Sequence, residues 1–215
     1  MIEWIHHRPP RACNETEIRV AERLKGLADS PHLWTVIWGY YYTDSRGTRR
    51  EGDFLILGPF GGLLVLGVKS RLPRHFAETG RSEGAGENDP IEQLQEEWKE
   101  VIRGIEAKGR PPLVEKALCV PEAIAPPDVD LFQGIDRHWL VTGNNLSNWN
   151  ATWSRIFKRH AQTPVTDEQK RAVIAAFGQG SLPKEKRAFI DHTEELFRRQ
   201  FQSRFLISSP IIASS

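Results

Sequence analysis

Apolar residues recur along this chain in two alternating periods. From about Glu15 to Leu27, the residues Ile18, Ala21, Leu24 and Leu27 come every three positions, the spacing of one helical face. Asn14 is placed to cap that helix, Glu17 follows three residues later as in a capping box, and Gly26 weakens its end. The period then shortens. Trp34 to Thr43 (WTVIWGYYYT) is rich in β-branched and aromatic residues and predicts a strand. A polar turn, Asp44 to Glu51, leads to the short apolar run Phe54 to Leu57. Gly58, Pro59, Gly61 and Gly62 then punctuate the chain ahead of Leu63 to Val68 (LLVLGV). So continuous an apolar run suits a strand buried on both faces, and the short Gly/Pro turn before it predicts a hairpin.

Arg71 to Asn88 is polar and glycine-rich and predicts a loop. Asp89-Pro90 opens a helix, with Asp89 as its cap, Pro90 in its first turn and Glu92 at the third position. Its apolar stripe is Ile91, Leu94, Trp98, Val101, Ile102 and Ile105, and Pro111-Pro112 ends the helical run. Leu113 to Val120 predicts a strand ended by Pro121, Glu122 to Asp130 a loop, and Trp139 to Thr142 a further short strand. After about Ser147 the pattern is helical, over 149–160, 166–177 and 193–201, with Thr166 and Gln169 as a capping box. The order α-β-β-β-α-β-β predicts an α/β domain over residues 1–146, followed by a helical extension over 147–215.

Composition narrows the function classes. A chain of 215 residues can bury one substantial core, and 39% hydrophobic with 27% charged residues is ordinary for a globular protein. A net charge of +1 is not that of a polycation, so any nucleic-acid binding has to come from a local patch. Cys13 and Cys119 form neither a metal knuckle nor a disulfide framework, which makes a reduced, cytoplasmic setting the expectation. Met1 to Arg11 lacks the apolar segment of a signal peptide, and no run is long and apolar enough to predict a membrane span. The seven tryptophans are expected in core or interface positions. His6 and His7 are adjacent and do not share a helical face, so no zinc site is expected; there is no GxxxxGK[ST] loop either.

Two charged residues flank the apolar hairpin. Asp53 opens one strand and Lys69 closes the next, so the pair can meet at one sheet edge. There Asp53 could hold a divalent cation, with the backbone carbonyl of Val68 as a further oxygen. Lys69 could orient a water or balance charge on a phosphate. Charged residues also flank hairpins without any such role. Arg71, Arg74 and Arg81 follow Lys69 in the glycine-rich segment, as phosphate contacts or as a solvated loop.

The stretch Gly52 to Ser70 (GDFLILGPFGGLLVLGVKS) resembles the core of the nuclease-related (NERD) domain family, an Asp-led strand, a Gly turn and an apolar strand ending in Glu-Val-Lys. Further segments resemble the family in the same order: ETEIRVAERL from Glu15, DPIEQLQ from Asp89, KALCVPE from Lys116 and RHWLVTGNNL from Arg137. The resemblance implies a restriction-endonuclease-like, PD-(D/E)xK fold, a mixed sheet flanked by helices. It also implies cleavage of DNA with Mg²⁺ or Mn²⁺. By motif position it makes Asp53 the metal ligand, Lys69 the catalytic lysine, Glu17 the helix carboxylate that helps hold the metal, and Gln93 the polar group on the later helix.

The chain departs from the family at Gly67, where the motif has Glu. A glycine offers no side-chain oxygen, so weak or absent activity is expected. Three readings stand open: an introduced substitution, a natural relative that only binds, or transfer of the role to another acid such as Glu17 or Glu51. The function implied is therefore metal-dependent DNA hydrolysis, with a non-catalytic DNA-binding or protein-interaction module as the alternative. TPVTDEQKRAVIAAF (Thr163 to Phe177) resembles the lead-in helix between NERD domains and helicase cores, and FLISSP (Phe205 to Pro210) resembles the strand before a helicase P-loop. A helicase domain in the same full-length chain is the partner this implies.

Overall fold

Six strands form one sheet in the order of the chain: β1 (Ile2–His6), β2 (Trp34–Thr43), β3 (Arg49–Leu57), β4 (Leu63–Val68), β5 (Val114–Val120) and β6 (Leu140–Thr142). The computed structural model describes residues 2–6, 14–29, 33–70, 90–122, 139–157 and 163–178. The chain divides into two compact units, Met1–Gly180 and Ser181–Ser215, and all described residues lie in the first. β2, β3 and β4 are antiparallel neighbours, whereas β1/β2, β4/β5 and β5/β6 run parallel. Parallel neighbours need a crossover, and helices supply two of these. α1 (Glu15–Lys25) connects β1 to β2, and α2 (Pro90–Glu106) lies between β4 and β5.

The two helices cover opposite faces. Val20, Ala21 and Leu24 of α1 pack with Phe54, Ile56, Leu64 and Leu66. Leu94, Val101 and Ile105 of α2 pack with Leu55, Leu57, Leu63 and Val65. Alternate residues of β3 and β4 thus serve alternate faces, and all six residues of β4 are buried, as its unbroken apolar sequence requires. This is the expected α/β arrangement, a mixed sheet with flanking helices, of restriction-endonuclease-like type.

Local signals act where expected. Asn14 Oδ1 accepts from the Glu17 N–H at 2.9 Å, and Asn14 Nδ2 donates to Glu17 Oε1 at 2.8 Å. The β3–β4 turn closes through Gly61 and Gly62, with φ of 104° and 87°, a region open to glycine. β1 was not foreseen, because its pairing with β2 is non-local. β3 begins at Arg49 rather than near Phe54. Its first three residues are exposed and pair with the end of β2, so no apolar alternation marks them. Asp44 organises that turn, accepting from the N–H groups of Arg46 (3.0 Å) and Thr48 (2.7 Å) and from Arg50 Nε (3.0 Å). Asp89, Cys13 and the helix expected over 193–201 lie outside the described residues.

The helices after residue 147 contribute to both cores. α3 (Gly143–Ser147) leads into α4 (Trp149–Ile156), whose Trp153 is fully buried edge-on to Trp34 at 5.0 Å. Phe157 stacks on Trp153 at 4.4 Å. α5 (Asp167–Val173), capped by the expected Thr166–Gln169 box, continues into a π-helical turn, Ile174–Gly178, that buries Phe177 on the α2 side. Trp34, Trp38, Trp149 and Trp153 are buried, and Trp4, Trp98 and Trp139 are partly so. No described helix is long and apolar enough to cross a membrane. Trp153→Ala is expected to lower unfolding free energy by about 3–5 kcal/mol in urea titration. A loss below about 1 kcal/mol would show that α4 is no integral part of the core.

Candidate active site

The sheet is irregular at one place, and the charged residues gather there. Trp38 and Tyr40 are two apart on β2 and should share a face. Trp38 instead lies in the α1-side cluster and Tyr40 in the α2-side cluster. Between them Gly39 has φ of 70°, a left-handed conformation that costs glycine little. The register with β3 is the same on both sides, Trp38↔Phe54 and Tyr40↔Gly52, but Gly39 and Asp53 between them are not paired.

Asp53 thus sits at a break in the ladder, and its Oδ2 accepts from the backbone N–H of Val68 at 2.6 Å. A hydrogen bond to a carboxylate is among the stronger kinds and fixes its orientation. The residue just after β4 is Lys69, whose N–H donates to the Cys119 carbonyl at 2.9 Å. The break within β3 and the end of β4 therefore bring the Asp53 carboxylate beside the Val68–Lys69 backbone.

A third group completes the arrangement. Glu97 of α2 is only 7% exposed, and its Oε1 accepts from the Tyr40 hydroxyl. A β-carbon at Gly52 would overlap both Glu97 Oε1 and the Tyr40 ring, so the residue before Asp53 has to be glycine. The expected stripe on α2 omitted Glu97. The signal was its position: Leu94, Glu97, Val101 and Ile105 are the buried seam, at spacings of three and four, and an acid on such a seam demands a partner. Lys116, 5% exposed, anchors the same helix, since its Nζ lies 4.2 Å from the ring centroids of both Trp98 and Trp139. Trp98 Nε1 also donates to the Val114 carbonyl at 2.9 Å.

Burial pushes the Glu97 carboxyl from its ordinary 4.5 up to about 8. The Tyr40 hydrogen bond opposes the rise, the Asp53 charge adds to it, and the Lys69 ammonium opposes it. Asp53, Lys69 and Glu97 therefore share one electrostatic site. Burial, and then the charge of Glu97, hold the Tyr40 phenol well above its usual range. Burial and the Asp53 charge likewise push up the Cys119 thiol, which leaves it protonated and a poor nucleophile.

The other expected residues fall in three groups. Gly67 lies on β4 with its absent side chain directed at α2; a β-carbon there would stand 3.4 Å from Leu94 Cδ1 and 3.9 Å from Leu118 Cδ1. Its φ is not positive, so the backbone does not require glycine. Gln93, half-buried, is one turn before Glu97 on α2. Glu17 is 4% exposed but belongs to α1, on the other face, where it engages Asn14. Glu51 is exposed on β3. Arg71, Arg74 and Arg81 lie outside the described residues. Among the described residues, no three His, Cys, Asp or Glu side chains form a cluster able to hold a metal.

The raised Glu97 value has a consequence for stability. The fold holds this proton more tightly than the unfolded chain, so its contribution is full below about pH 4.5 and is lost as pH rises towards about 8. Without divalent ions, the melting temperature of the native sequence should fall over this interval by more than that of Glu97→Gln, whose amide still accepts from Tyr40. Parallel melting curves for the two proteins would contradict this assignment.

Comparison with known families gives one match: the model described as nuclease-related domain covers residues 13–121. No curated protein and no solved structure matches the chain.

Proposed function

Because the chain belongs to the nuclease-related domain family, we propose that it hydrolyses DNA phosphodiester bonds with the help of a divalent cation. The observation that carries this reading is the break in the sheet at Asp53. Its carboxylate is held by the Val68 N–H at 2.6 Å, and both Asp53 and Lys69 act on the buried Glu97. The oxygen donors at this point, the Asp53 carboxylate and the Val68 carbonyl, are hard ligands that fit Mg²⁺ or Mn²⁺. Mg²⁺ retains several waters and needs few protein carboxylates.

When bound, such a cation supplies polarisation of a phosphoryl oxygen and a lowered pKa for the attacking water. Asp53 would hold and orient it. Lys69 balances the negative charge of the phosphate and orients the water for in-line attack. In this reading Gln93, one turn before Glu97 on α2, contacts the substrate. Arg71, Arg74 and Arg81 follow Lys69 in sequence and supply phosphate contacts that position DNA without reading its bases. A helicase domain in the same full-length chain would present the DNA.

The lack of a side chain at Gly67 is what favours the second reading, a DNA-binding module that does no chemistry, since fold alone does not fix activity. Plasmid nicking in Mg²⁺ or Mn²⁺ separates the two. We expect slow nicking by the native sequence, faster nicking by Gly67→Glu, and a loss of about 10²–10⁴-fold in Lys69→Ala. DNA binding without nicking, in both the native sequence and Gly67→Glu, would establish the non-catalytic module instead.

A further inference from the structure

The hydrolase reading leaves β4 one carboxylate short. Resting on that reading, we propose that Glu97 on α2 supplies the oxygen ligand that Gly67 lacks, so that the cation is held between a strand carboxylate, Asp53, and a helix carboxylate, Glu97.

Two glycines frame the argument. A side chain at 67 would project from β4 towards Leu94 of α2, one turn before Glu97. A strand carboxylate at 67 would thus face the same helix, α2, that carries Glu97. At Gly52, next to Asp53, even a methyl group would overlap Glu97 Oε1, so the helix carboxyl lies directly against the β3 backbone at the site. Tyr40 holds Oε1, and Tyr40 reaches it only because Gly39 turns the strand over. Phe177 supports the phenol edge-on at 5.4 Å. A buried acid serving only as a core filler would not need this apparatus, because an apolar residue at position 97 would continue the Leu94–Val101–Ile105 seam without a desolvation cost. Neither Glu51, which is exposed, nor Glu17, on the opposite face, is so placed.

The test is titration of the full chain with Mn²⁺ alone, followed by calorimetry and by the electron paramagnetic resonance of the free ion. Near-ultraviolet circular dichroism of each variant first confirms the native fold. We expect Glu97→Gln to weaken Mn²⁺ binding by roughly tenfold or more. Adding Gly67→Glu to that variant should restore binding, which a purely structural role for Glu97 would not produce. Equal Mn²⁺ affinity in the native sequence and Glu97→Gln, with binding lost in Asp53→Asn, would overturn the assignment of Glu97 and leave the hydrolase reading standing. No Mn²⁺ binding by the native sequence, with no nicking by it or by Gly67→Glu, would remove both.

Discussion

Burial of one carboxyl group between the sheet and α2 is the constraint around which this part of the molecule is arranged. An ionised carboxylate in such a place is very costly, and the protein meets that cost by raising the pKa of Glu97 and by giving it a hydroxyl partner. Each support has its own sequence requirement. Gly52 must lack a side chain, Gly39 must reverse the strand, and Tyr40 must be long enough to reach α2. α2 itself is fixed by Trp98 and Lys116, so Glu97 stays in register with the strands.

Asp53 lies at the same irregularity. Gly39 and Asp53 stand opposite in register but are not paired, and the β3–β4 ladder stops at Phe54↔Leu66, short of Val68. Beyond that point the Asp53 carboxylate takes the Val68 N–H and is held between the central strands β3 and β4, beside the Lys69 backbone. The irregularity orients a carboxylate within the strand while the strands on either side keep the core closed.

The tail is tied to the same centre. Phe177 packs on Tyr40, and Gly104 of α2 has to be small where Phe177 crosses it. On the other face Trp149, Trp153 and Phe157 fill the space over Trp34. A change in how residues 163–178 sit would therefore be felt at Tyr40 through direct packing, with no need for a longer route.

The sequence by itself determined the elements whose signals are local. The periods of α1, α2, β2 and β4, the Asn14 and Thr166 caps and the Gly-rich turn are all legible, because helical spacing, capping and positive φ depend only on near neighbours. It also put Asp53 and Lys69 on the two arms of one hairpin, although Asp53 lies within β3 (Arg49–Leu57) and does not open it, because the exposed start of that strand carries no apolar alternation. Only the tertiary structure decided that β1 joins the sheet, that Glu17 and Glu97 serve opposite faces, and that the buried Glu97 feels the charge of Asp53. Those outcomes depend on contacts between residues far apart in sequence. A charged residue on an apolar seam announces that it needs a partner, but which strand supplies that partner is settled only when the helix docks.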